Sequence, residues 1–196
     1  MKKVILSFVV LAFTLTACND KKQDTATPAT EEHAGHEGHE EHTANEKTES
    51  VTTVKESDVL QSSLDAYFLV KKALQEDNAA EASTAGKTLV SNLKAVVTED
   101  ATAKELVKEL IETATKLESK DIKVQREEFE DLTEDLVKLI NTVGTDRVVF
   151  EQYCPMFDNG TGGKWLSDVE ELSNPLYGSS MLKCGATQNK ITFEAK

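Results

Sequence analysis

The sequence predicts a mainly α fold: an up-down-up-down four-helix bundle with a small, irregular, β-containing cap at its C-terminal end. Three observations predict it. From about residue 57 to Gly144, apolar residues recur at alternating spacings of three and four, the period of one helix face. The breaks between these stretches are very short, which makes successive helices antiparallel neighbours. Beyond Gly144 the helical period gives way to β-branched and aromatic residues, glycines and turn dipeptides.

Ser57 is a suitable N-cap for the first helix. Leu60, Leu64, Tyr67, Lys71 and Leu74 line its seam, with Val59 and Phe68 widening the face. Asp77-Asn78 breaks it, and Asn78 with Glu81 resembles a capping box for the second helix. That helix is rich in Ala and continues through Leu89, Val90, Leu93, Val96 and Val97. Gly86 within it either costs up to ~1 kcal/mol relative to Ala or permits a close helix contact. A third helix starts near Asp100 and repeats the seam at Ala103, Val107, Leu110, Ala114 and Leu117. In the fourth, Ile122, Phe129, Leu136 and Val143 lie seven apart, Leu132 and Leu139 fall between them, and Gly144 ends the run. Residues 57–144 are thus the bundle and 145–196 the cap. In the cap, Arg147 to Tyr153 and Lys190 to Glu194 read as strands, 159–163 as a loop, and Trp165 with Leu166 as an apolar anchor. In this topology the start of the first helix and the end of the fourth lie together.

The N-terminal segment has another character. Lys2 and Lys3 precede an apolar run from Val4 to Ala17, too short for the roughly 20 residues of a spanning helix and fitting for a signal peptide, residues 1–17. Leu15-Thr16-Ala17-Cys18 has the form of a bacterial lipoprotein box. The thiol of Cys18 is the nucleophile that takes the lipid, and small residues before it admit the peptidase. The expected mature chain is anchored by lipid on Cys18 and does not span the membrane. It lies outside the cytoplasm, at the outer membrane facing the periplasm or at the cell surface. Residues 18–56 hold almost no large apolar side chains and are expected to be a disordered tether rich in His and Glu.

Charge restricts the partners. The chain has 22 basic and 35 acidic side chains; removing Lys2 and Lys3 leaves 20 against 35, near −15. Such a chain repels nucleic acid and attracts cations.

Two constellations carry chemistry. His33, His36, His39 and His42 are the four histidines of the chain, three residues apart among Glu32, Glu37, Glu40 and Glu41. In an extended left-handed helix of about three residues per turn, all four rings share one edge. Neutral imidazole suits Cu²⁺ and Zn²⁺; the alternative is a polar spacer. The second is Cys154-Pro155-Met156 with Met181-Leu182-Lys183-Cys184. Thiolate and thioether together select Cu(I). The alternative is a Cys154–Cys184 disulfide with Met156 and Met181 as packing, and an oxidised pair cannot offer thiolates.

Nothing points to catalysis. No histidine occurs after His42, so the predicted bundle and cap have no Ser-His-Asp or Cys-His pair. No Glu-x-x-His pair suits a di-iron bundle, and Cys154-Pro155-Met156 is not a C-x-x-C motif. Glu127, Glu128 and Asp131 read as a solvated helix face.

Four stretches, Tyr153-Cys154-Pro155-Met156, Trp165-Leu166-Ser167, Asn174-Pro175-Leu176-Tyr177-Gly178 and Met181-Leu182-Lys183-Cys184-Gly185, resemble in order the motifs of an uncharacterised bacterial domain family. Leu64 to Leu74 resembles its opening helix, so the resemblance covers roughly Ser57 to the C-terminus. Leu176 stands where that family usually has an aromatic, and Phe157 where a small residue is commoner. The family occurs in small lipoproteins and fused to periplasmic adaptor proteins of copper/silver-type heavy-metal efflux pumps. The resemblance implies metal handling outside the cytoplasm, efflux-pump components as partners, and Cys154, Met156, Met181 and Cys184 as the residues that carry it.

Overall fold

Four amphipathic stretches fold as long helices: α1 (Gln61–Gln75), α2 (Ala79–Lys94), α3 (Ala101–Lys116) and α4 (Ile122–Val143). They come from a computed structural model that describes residues 49–194, within one compact unit, Ala44–Lys196. The expected signal segment, Cys18, and His33, His36, His39 and His42 lie outside the described residues. Roughly half of the described residues are helical, and the rest centre on a four-stranded mixed sheet. No described helix is long and apolar enough to cross a membrane.

The helix ends follow side-chain chemistry. Asn78 accepts a hydrogen bond from the Glu81 backbone N–H, and Asp100 from that of Ala103. Each satisfies an amide that the first turn leaves without a partner. Gly144 closes α4 at φ +92°, where a Cβ would stand 2.2 Å from the Lys55 carbonyl oxygen. Ser57 is not the cap of α1, which begins only at Gln61. Instead the Ser57 amide donates to the Thr145 carbonyl, and the Thr145 amide to that of Lys55. The beginning of α1 and the end of α4 are therefore stitched together.

The expected seams are buried. Leu60, Leu64, Tyr67, Lys71 and Leu74 of the first seam are inside, as are Phe129, Leu132, Leu136, Leu139 and Val143 of the fourth. α1 packs on α2, α2 on α3 and α3 on α4. Three details of the seams differ from expectation: Val59 precedes α1 and is 38% exposed, and two more concern α2 and α3. α2 ends at Lys94, which leaves Val97 79% exposed, and Leu106 is buried in α3 where Val107 is only half-buried.

The cap is more regular than expected. Strands β1 (Ser50–Lys55), β2 (Val149–Cys154), β3 (Gly163–Ser167) and β4 (Ala186–Glu194) form one sheet in the order β1-β4-β2-β3. Two of these strands correct the sequence reading. β1 lies in the stretch expected to be a disordered tether, so that assignment cannot extend through residues 50–55. Val51, Thr52, Thr53 and Val54 are β-branched, and the strand gains its partner, parallel β4, from the far end of the chain. β3 occupies the stretch read as a loop and anchor; it closes a hairpin with β2, pairing Cys154 with Gly163 and Gln152 with Trp165. Between them, the short segment α5 (Phe157–Gly160) turns through left-handed conformations at Asp158 and Asn159.

The sheet is fixed to the helices by buried polar ties. The Thr133 hydroxyl donates to the Phe129 carbonyl, so the Tyr67 hydroxyl donates to Thr133 Oγ1 (2.6 Å) and accepts from the Leu166 amide (2.9 Å). One side chain thereby joins α1, α4 and β3. The Arg126 guanidinium on α4 donates to the carbonyls of Leu74 and Pro175, each at 2.9 Å, and pairs with Asp77. It pins the segment after β3 against the helix ends.

Candidate metal centre

The candidate site is built on two turns that leave the sheet at one end. Cys154 is the last residue of β2 and is fully buried by its pairing with β3. Pro155 and Met156 then turn away from the sheet. Cys184 comes from the other side, two residues before β4, in the segment between β3 and β4. The Cys184 amide donates to the Met181 carbonyl at 2.9 Å, a tight turn that carries Met181 and Cys184 together. Gly185 follows at φ +135°; a Cβ there would stand 2.6 Å from the Tyr153 carbonyl oxygen and 3.0 Å from the Trp165 ring. Only glycine lets this turn approach β2 so closely.

That approach brings Cys154 Sγ and Cys184 Sγ to 2.9 Å. Both cysteines are free. Cys154 beside it and partial burial push the Cys184 thiol above its ordinary value, because a thiolate there would lose a hydrogen bond and some hydration. Met156 and Met181 leave the same two turns and are 53% and 37% exposed. Among the described residues, no three His, Cys, Asp or Glu side chains are gathered around a space for a metal ion.

The remaining stretches singled out in the sequence surround this pair. Trp165 is buried and donates Nε1–H to Gln152 Oε1 at 2.8 Å. The Tyr177 hydroxyl donates to the Met156 carbonyl at 2.6 Å, and its ring meets Phe157 edge to face. Asn174 is fully buried and donates Nδ2–H to the Cys184 carbonyl at 3.0 Å. Asn174, Tyr177 and Gln152 were not singled out for these roles in the sequence. The Asn174-Pro175 dipeptide signals a turn, but not what the amide holds.

Two other polar groupings involve the same hairpin. Glu127, Glu130, Asp131 and Glu134 of α4 line a cleft of about 400 Å³ with Tyr153, Phe157, Asp158 and Lys164. Burial, then repulsion from neighbouring carboxylates, raises Glu130 and Asp131 above the usual carboxylate range; the Lys164 amide on Glu130 opposes this in part. The stretch read as a solvated face thus forms one wall of a cleft. Lys71, buried in α1, donates to Ser167 Oγ at 2.8 Å and lies 3.6 Å from Asp168. Burial lowers its ammonium pKa, and Asp168 opposes the shift. Ser167 is itself buried and donates its proton to the Val169 carbonyl, so the Lys71–Ser167 contact secures β3 to α1 with no free hydroxyl proton.

Residues 63–147 match the domain family described as "Protein of unknown function (DUF3347)". The match runs from the first turn of α1 to just beyond α4 and ends before Cys154. No curated protein and no solved structure is significantly similar to the chain.

Proposed function

We propose that the chain is a lipid-anchored, extracytoplasmic metal-binding protein whose sulfur site holds Cu(I), and that it buffers the ion or delivers it to a heavy-metal efflux system. The observation that carries this reading is the 2.9 Å approach of Cys154 and Cys184 Sγ atoms from residues 30 apart, with Met156 and Met181 on the same two turns. Two thiolates sharing one ion through bonds of about 2.3 Å stand roughly 4 Å apart. A disulfide brings its sulfurs to about 2.0 Å. The observed separation lies about 1 Å from each, so it supports a shared ion and a disulfide alike. The raised Cys184 pKa means that a metal binding there must displace a proton, and affinity falls as pH falls.

The rest of the reading rests on the sequence. His33, His36, His39 and His42 collect Cu²⁺ or Zn²⁺ loosely. Cys18 carries lipid that holds the chain to the outer membrane, facing the periplasm. Helices α1–α4 form an up-down-up-down bundle, supported by their sequential packing and by the short connections 76–78, 95–100 and 117–121. The acidic surface disfavours nucleic acid.

The test is a titration of the reduced protein with Cu(I) against a competing chelator. Cys154→Ser combined with Met181→Leu should abolish tight uptake; equal uptake by this variant and the unmodified chain sinks the sulfur site. Cys18→Ala should move the protein from the membrane fraction to the soluble fraction. A second reading is also favoured by the sulfur distance: an interaction lipoprotein stapled by a Cys154–Cys184 disulfide. Protein from cells that is two hydrogen atoms light by non-reducing mass, and takes up no metal even after reduction, would establish that reading instead.

A further inference from the structure

The two cysteines are held by different means. Cys154 is fixed by the hairpin ladder of β2 and β3. Cys184 lies outside every strand, and its backbone has two ties: its amide to the Met181 carbonyl, and its carbonyl to Asn174 Nδ2. Asn174 is fully buried, and both ends of its side chain are used. Its Oδ1 accepts from the amides of Leu176 (2.8 Å) and Tyr177 (3.2 Å), while Nδ2 holds Cys184. Its own backbone is held too: the amide donates to the Leu182 carbonyl at 2.7 Å, and the carbonyl accepts from the Gly178 amide at 3.1 Å. The Tyr177 that it caps reaches Met156, on the Cys154 side, through its hydroxyl. Asn174, through Tyr177, thus links the two sulfur-bearing turns.

We propose that Asn174 is the positioning residue of the sulfur site, setting Cys184 against Cys154 and thereby both the effective concentration of the thiol pair and its affinity for a soft metal ion. The metal half rests on the Cu(I) reading above; the thiol half does not. A buried amide suits the task. Its Nδ2 donor and Oδ1 acceptor are fixed in one plane, and neither has water to fall back on, so releasing one end leaves a buried group unsatisfied. Asn174→Asp separates its two duties: the carboxylate can still accept from Leu176 and Tyr177 but cannot donate to the Cys184 carbonyl. Asn174→Ala removes both.

The experiment equilibrates the full chain with mixtures of glutathione and its disulfide. Two protein thiols become one disulfide as one glutathione disulfide becomes two glutathione thiols. The equilibrium constant reports how often the two sulfurs meet in the folded protein. Asn174→Asp and Asn174→Ala should each lower it at least tenfold, about 30 mV in the two-electron potential. Each should also weaken Cu(I) binding by about 10- to 100-fold, the usual range for a residue that orients a metal ligand. Urea unfolding of the reduced proteins accompanies both measurements, since a residue that merely stabilises the fold would shift the unfolding midpoint and leave the thiol equilibrium alone. If either folded variant keeps the wild-type thiol constant, the positioning role is overturned. A wild-type protein that takes up no Cu(I), with variants that still lose the thiol constant, overturns the metal reading and leaves the positioning role standing.

Discussion

Glu130 is a carboxylate that the fold holds at a disadvantage. Burial and the neighbours Glu134 and Asp131 raise it above its ordinary value, so the folded state keeps its proton at pH values where the unfolded chain has released it. Stability from this group is therefore lost as pH rises from the ordinary carboxylate value through the raised one. Glu130→Gln keeps an oxygen for the Lys164 amide and removes the charge. It should raise the urea midpoint at pH 7, with a gain that shrinks to nothing below the ordinary carboxylate range. A constant gain at every pH would mean that charge is not the cause. The cost was hidden in the sequence, where Glu127, Glu128 and Asp131 look like any solvated helix face; only the β2–β3 hairpin laid against α4 desolvates Glu130. Lys71 was legible as a member of the α1 seam and not as a tie to Ser167, because 96 residues separate the two.

Gly86 shows how two element-level effects compete. Replacing it with Ala favours α2 by up to about 1 kcal/mol in helix propensity. The new Cβ would stand 2.9 Å from Leu117 Cβ, just past the end of α3. Overpacking of this kind typically costs about 1–3 kcal/mol, so Gly86→Ala should destabilise on balance, by up to about 2 kcal/mol in urea unfolding. A more stable variant would show that the α2–α3 contact yields easily. Helix identity was legible because period and caps are local: Asn78, Asp100 and Gly144 act where the sequence put them. β1 and β3 were not. β1 is a short β-branched run at the end of a polar stretch, and its parallel partner lies about 140 residues away. β3 follows a glycine-rich loop whose composition concealed that Lys164 to Ser167 pair with β2.

At the scale of the molecule, the convergence of Cys154 and Cys184 was legible in outline, since these are the two cysteines beyond Cys18 and each has a methionine two or three residues away. What holds them was not, because Asn174, Arg126 and Tyr177 act through backbone carbonyls that no residue pattern announces. Oxidising the pair closes a loop between residues 30 apart, which on the chain-entropy account adds about 3 to 4 kcal/mol to stability. Oxidised and reduced proteins compared in urea should differ by that amount, and Cys154→Ser should remove the difference; matching midpoints would mean that strain in the turn cancels the gain.

The parallel direction of β1 has a mechanical consequence. Ser50 lies beside Asn189 and Lys55 beside Glu194, so tension applied along the β1 axis against β4 runs parallel to the ladder. The load then falls on the whole ladder in shear instead of peeling it apart one pair at a time. Ser50 and Thr52, hydrogen-bonded to Asn189, and Thr53, hydrogen-bonded to Thr192, add side-chain links in the same direction. Under tension along its axis, β1 is thus a clasp that passes load to β4, the strand that begins two residues after Cys184.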